Sequence, residues 1–204
     1  MTKTLVVSYT PRENSNTKKL VDYFIENNKS KTEITELNLA KNTPDLLLED
    51  RLNLYVKRNF GGVTLTDQEQ LLLANNDTMV AQVLESDFIV IASPIFNMSV
   101  PATVKAWIDV VIQAGVTFTQ TEMGPKGLCE NKQALVLMTS GSDFNIEPLK
   151  SMNFATPLLN ACLGLMGIPS KNITAFGLQQ YADKVDSLLE QSKNEISALS
   201  DDWF

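Results

Sequence analysis

Apolar residues along this chain follow two rhythms that alternate from end to end. TLVVS (Thr4–Ser8), FIVIA (Phe88–Ala92) and QALVLMT (Gln133–Thr139) are continuous apolar runs, the pattern of strands covered on both faces. EITELNL (Glu33–Leu39) alternates polar with apolar residues, as a strand covered mostly on one face does. Asn172–Phe176 reads as a last short strand. Between these runs the spacing turns helical. Leu20, Phe24 and Ile25 share one face, and a second helix is predicted from Val100. A third spans about 151–166 and stops at Gly167, with Pro169 beyond. A charged amphipathic helix covers about 181–198. The stretch 40–86 is helical in outline, broken at Gly61–Gly62, and Thr66 with Glu69 forms a capping box for its second segment.

Five strands alternating with helices predict an α/β, doubly wound parallel sheet with helices on both faces. The chain reads as one domain over 1–204 with a helical insertion at about 40–86. In such a sheet ligands sit beyond the carboxyl ends of the strands, where the strand order reverses. That directs attention to the loops at 9–17, 93–99 and 140–147.

The helix after Pro101 is too apolar for a surface helix. Val104, Trp107, Ile108, Val111 and Ile112 cover a wide arc, and Lys105, Asp109 and Gln113 leave a narrow polar strip. A helix lying on a sheet needs an apolar stripe of roughly 100°. The excess predicts a second cover, either the 40–86 insertion or another copy of the chain. The closing SDDWF carries two aromatics, expected as a frayed tail or as a dock on a partner subunit.

Composition narrows the chemistry. The 204 residues are 44% hydrophobic and 20% charged, with a formal charge of −7. The negative field opposes nonspecific binding to nucleic acid or to an anionic membrane. No apolar run approaches the ~20 residues of a membrane span, and MTKTLVVSYT lacks the pattern of a signal peptide, so a cytoplasmic location is expected. The two cysteines, Cys129 and Cys162, have no C-x-x-C spacing, which indicates neither a disulfide framework nor a metal site. The chain has no histidine. That removes the commonest general base and metal ligand, together with every Ser-His or Cys-His nucleophile scheme, and, for an enzyme, leaves a bound cofactor as the carrier of the chemistry.

Each loop carries a chemical hint. TPRENSNT sets hydroxyls and amides at a helix N-terminus, where unpaired N–H groups attract an anion. It is neither a P-loop nor a dinucleotide fingerprint, so it suits a small phosphate held by hydroxyls and backbone amides. An ordinary N-cap and polar turn is the alternative. SPIFNMS can turn backbone groups of Ile95–Met98 toward a flat heteroaromatic edge. Asn97, between Phe96 and Met98, is an amide that needs partners. TSGSDF places Gly141 where backbone can approach a ligand closely.

With those residues in view, YTPRENSNTKKL resembles the phosphate-binding loop of flavodoxin-like NAD(P)H-dependent FMN reductases and quinone oxidoreductases. SPIFNMSVPATVKAWIDVVIQAGVTF, then TEMGPKGL and LGLMGI, resemble the FMN-dependent NADH:quinone oxidoreductases, or azoreductases. The resemblance implies a flavodoxin-like sheet of order 2-1-3-4-5 and a homodimer with two active sites at the interface. It also implies noncovalent FMN and ping-pong transfer of two electrons from NADH or NADPH to quinones or azo compounds through flavin N5. Carried over by position, Ser15, Asn16 and Thr17 hold the phosphate with Tyr9 near it. Pro94, Ile95, Phe96, Asn97 and Met98 line the isoalloxazine, and Thr139, Ser140, Gly141 and Ser142 close its other edge. Phe118, Gln120 and Cys162 fall in the substrate pocket. Tyr9 stands where relatives often carry Ser, Ser142 replaces a glycine, and Gln120 and Cys162 replace aromatics. No residue is assigned as acid or base, and dimerisation supplies the second cover of the 100–115 helix. A flavodoxin-type electron carrier without small-molecule turnover is the competing reading, and a flavin-free binding module a third.

Overall fold

The structure, a computed structural model, describes residues Met1–Phe204. Its centre is a five-stranded sheet of β1 (Lys3–Ser8), β2 (Glu33–Asn38), β3 (Phe88–Pro94), β6 (Gln133–Thr139) and β7 (Ser170–Ala175). The strands lie in the order β2-β1-β3-β6-β7 and every neighbouring pair is parallel. Counting sheet strands alone, this is the expected 2-1-3-4-5. A short antiparallel hairpin, β4 (Phe118–Thr121) with β5 (Gly124–Gly127), stands outside the sheet. The sequence reading had no place for it, because four-residue polar strands carry no period-two signal.

Side-chain alternation along the strands splits the core in two. Leu5, Val7, Ile89, Ile91, Val136 and Met138 face one way, against α3 (Asp67–Glu85), α4 (Ala102–Val111) and α5 (Ala155–Leu165). Val6, Val90, Leu135 and Leu137 face the other way, against α1 (Asn16–Asn28) and α6 (Val185–Trp203). Both faces are therefore covered, which is why the inner strands are continuous apolar runs rather than alternating ones.

The 40–86 stretch resolves into two helices of different kinds. The later one, α3, begins at the expected capping box: Thr66 Oγ1 accepts from Glu69 N at 3.3 Å and Glu69 Oε2 accepts from Thr66 N at 2.9 Å. It packs on the sheet as the crossover between β2 and β3. The earlier one, α2 (Glu49–Asn59), has no buried residue. Its inner side is tied down by polar contacts: Tyr55 Oη accepts from Ala114 N at 3.2 Å, and Asn59 Nδ2 donates to Ala114 O at 3.2 Å.

Two expectations are corrected here. The apolar arc of α4 needs no second copy of the chain. Trp107 is 1% exposed within this single chain, enclosed by the sheet and by α3, and Gln113 is buried rather than part of a polar strip. The C-terminus is neither frayed nor waiting for a partner. Helix α6 runs on to Trp203, whose ring stacks on Phe88 with centroids 4.7 Å apart. Helix boundaries shift as well: α5 starts at Ala155 after a 3-10 turn at Lys150–Met152, and Gly167 ends it with φ +84°.

Candidate functional site

The β1–α1 loop rests on its neighbours. Tyr9 N donates to Ala92 O at 3.0 Å, and the Tyr9 ring meets Phe96 edge-on at 6.0 Å. Ser15 is the N-cap of α1, its Oγ accepting from Lys18 N at 3.2 Å. Thr17 Oγ1 lies 2.6 Å from Thr139 Oγ1, both side chains buried. The backbone N–H groups of Asn16 and Thr17 have no partner in the chain. These orphan donors and the helix dipole favour an anion at this spot, at about 0.3–1 kcal/mol for the dipole.

The β3–α4 loop is a tight turn. Phe96 N donates to Ser99 O at 2.9 Å and Ser99 N returns the bond to Phe96 O at 3.0 Å. Between them Asn97 and Met98 have φ of 48° and 67°, the signature of a type I′ turn. Asn97 is exposed and its side chain has no partner within the chain. Asn is at home here because it tolerates the left-handed backbone. The turn leaves the N–H groups of Asn97 and Met98 unpaired, while Ile95 N is held by Thr139 O at 2.8 Å.

The loop after β6 is locked to the segment after β7. Ser140 N donates to Ala175 O at 3.0 Å, and Gln179 N and Gln180 N both donate to Gly141 O at 2.9 Å. Ser140 Oγ accepts from Ser142 N at 3.2 Å. A Cβ on Gly141 would meet Gln179 Oε1 at 2.5 Å, so the bare α-carbon gives the Gln179 side chain its seat. Tyr181 Oη donates to Asp143 Oδ2 at 3.2 Å. Desolvation, and then that bond, raises the phenol above its ordinary range.

The three loops converge on one crevice made of two adjoining cavities. The larger, about 430 Å³, is lined by Arg12, Asn14, Asn16, Pro94–Phe96, Thr139–Gly141, Leu178 and Gln179. The smaller, about 270 Å³, adds Asn97, Met98, Ser142 and Phe144. Tyr9, Ser15 and Thr17 do not line it. Their side chains make supporting contacts: the Tyr9 ring meets Phe96, Ser15 caps α1 and Thr17 ties α1 to β6. Phe118, Gln120 and Cys162 lie off the crevice. Phe118 pairs with Gly127 in the hairpin and Gln120 is exposed there. Cys162 is half-buried on α5, where burial pushes its thiol up, offset by Lys105 and reinforced by Asp109. Sequence reasoning missed Arg12 and Asn14, although both sit in the loop it had singled out. It also missed Gln179, which reaches the crevice only because β7 pairs with β6.

Residues 2–199 match the family model described as the flavodoxin-like fold. An FMN-dependent NADH:quinone oxidoreductase of Shewanella baltica (strain OS195) is 39% identical over 140 residues, covering 68% of this chain and 69% of the relative. One of the same name from Aeromonas salmonicida (strain A449) is 34% identical over 183 residues, 89% of each chain. The crystal structure of an azoreductase from Bacillus anthracis str. Sterne matches with a TM-score of 0.89 at 27% identity, over 98% of this chain and 99% of that one. With its fold, its crevice and these likenesses in agreement, the chain belongs to the family of FMN-dependent NADH:quinone oxidoreductases.

Proposed function

We propose that this protein binds FMN noncovalently in the rim crevice and uses it to pass two electrons from NADH or NADPH to quinones and azo compounds. The observation that carries the reading is the set of unpaired backbone donors around one crevice: Asn16 and Thr17 at one end, Asn97 and Met98 at the other. A phosphate and a flat ring rimmed by acceptors are what such a set suits.

The residues divide the work. The N–H groups of Asn16 and Thr17, the hydroxyl proton of Ser15 and the Arg12 guanidinium hold the phosphate, with Tyr9 behind them. Pro94, Ile95, Phe96 and Met98 wall the isoalloxazine, and the N–H groups of Asn97 and Met98 donate to its heteroatom edge. Fixed backbone donors there favour negative charge on the ring without reorganising. Thr139, Ser140, Gly141 and Ser142 close the opposite edge. Held by these residues, FMN would supply two-electron chemistry through N5 between the nicotinamide and the acceptor, in ping-pong half-reactions. No side chain of the crevice is assigned as an acid or base, and solvent supplies the protons.

The active unit is a homodimer in the cytoplasm. Leu48, Leu52, Val56 and Phe60 recur at four-residue spacing along α2 and are 43–66% exposed, an apolar stripe that water would not favour leaving bare. Phe118, Gln120 and Cys162 lie off the crevice of their own chain, so a place in the substrate pocket requires the crevice of a second copy. No helix is long and apolar enough to cross a membrane.

The test is a visible spectrum after reconstitution with FMN, followed by NADH oxidation in the presence of 1,4-benzoquinone. A yellow protein that turns over quinone supports the reading. A yellow protein that does not turn over quinone is an electron carrier, and a colourless one refutes the cofactor site.

A further inference from the structure

We infer that Met98 occupies a strained left-handed conformation for the sake of its side chain, trading stability for the grip of the crevice on a flat ring; this rests on the flavin reading above. The turn Phe96–Ser99 is closed by reciprocal backbone bonds at 2.9 and 3.0 Å, and its two central residues have φ of 48° and 67°. A turn of this type favours Asn followed by Gly, because both central positions are left-handed. The first position obeys. The second carries Met98, whose Cβ is crowded against backbone in that conformation.

Local rules are broken mainly where function compensates. Three observations locate the compensation. Met98 lines the smaller cavity together with Ile95 and Phe144. Its carbonyl accepts from Phe154 N at 2.9 Å, so the backbone is held in place from outside the turn. Its side chain is half-buried against the apolar cluster beneath the crevice. A thioether is flexible and polarizable and makes favourable contacts with aromatic rings. Glycine would relax the turn but leave the cavity wall open. The side chain thus serves as a soft wall for the ring, and the turn that presents it also aims the N–H groups of Asn97 and Met98.

The experiment compares Met98→Gly, Met98→Ala and Met98→Leu. At an ordinary position Ala is more stabilising than Gly, because glycine loses more freedom on folding. At a strained left-handed position the order reverses. In the flavin-free protein, Met98→Gly is expected to melt about 2–4 °C above Met98→Ala. Riboflavin, which lacks the phosphate, is expected to bind about threefold to tenfold more weakly to both, while Met98→Leu retains most of the affinity. Met98→Ala melting at or above Met98→Gly overturns the strain. Unchanged riboflavin affinity in both truncations overturns the ring contact. A wild-type protein that binds neither riboflavin nor FMN sinks the flavin reading and the ring contact with it, and the melting order still reports on the strain by itself.

Discussion

The hydroxyls of Thr17 and Thr139, 122 residues apart in sequence, meet at 2.6 Å beneath the crevice. This one bond joins the first turn of α1 to the last residue of β6, so the proposed phosphate end and the proposed ring end share a rigid support. Thr17→Val or Thr139→Val leaves the other hydroxyl buried without its partner, at an expected cost of about 1–3 kcal/mol. The double replacement is expected to cost less than the sum of the two. Urea unfolding of the four proteins measures it, and strict additivity would contradict the coupling.

Arg12 is absent from every ion pair of the chain and lines the larger cavity beside Asn14 and Asn16. On a chain of net charge −7, a free guanidinium at the rim is a local exception. Arg12→Gln is expected to weaken FMN binding about threefold to tenfold at low salt and to leave riboflavin binding unchanged. Added salt should shrink the difference, because the contact is exposed. Fluorescence titrations of both ligands at two ionic strengths decide it.

The Trp203 ring stacks on Phe88 at 4.7 Å and is 8% exposed. Trp203→Ala is expected to cost about 3–5 kcal/mol, read from the urea midpoint. Trp203→Phe should cost much less, since it keeps an aromatic on Phe88 and discards a buried indole N–H that has no partner. A frayed terminus would show neither effect.

Two apolar helix faces now predict opposite outcomes. Trp107 is buried within one chain, so Trp107→Glu should unfold the protein rather than release monomers. Leu52 and Val56 are exposed on α2, so Leu52→Glu with Val56→Glu should leave the circular dichroism spectrum unchanged and yield monomers. Sedimentation velocity separates the two states, and an intact dimer after the double change would remove α2 from the interface.

Burial raises the thiol of Cys162 and that of Cys129 above the ordinary range. Because the folded value exceeds the unfolded one, this stability is fully present below the unfolded pKa and is lost as pH rises through the folded value. At pH 8 the native protein should therefore react with iodoacetamide about tenfold or more slowly than the urea-unfolded chain. The gap should narrow as the pH is raised further, and equal rates at pH 8 would contradict the burial.

Much of this was legible in the linear order of residues. Strands covered on both faces must be apolar throughout, so β3 and β6 announced themselves and the sheet order followed the family pattern. Helix ends are decided by neighbouring residues, which is why Thr66 with Glu69 and the stop at Gly167 were readable. Polar loops at the carboxyl ends of parallel strands pointed to the crevice because the chain's winding fixes which ends share a rim.

What only the tertiary structure decided depends on contacts between distant segments. Whether the apolar arc around Trp107 meets α3 or another molecule is a matter of packing, and hydropathy records only that it is covered. The same holds for Trp203, which found Phe88. The Thr17 hydroxyl is also a strut, because it lies within reach of Thr139. Gln179 enters the crevice through strand pairing alone. Asn97 and Met98 owe their place to backbone angles that composition does not reveal. A sequence states which groups want burial, pairing or room, and folding chooses the partners because that choice depends on distances no single segment contains.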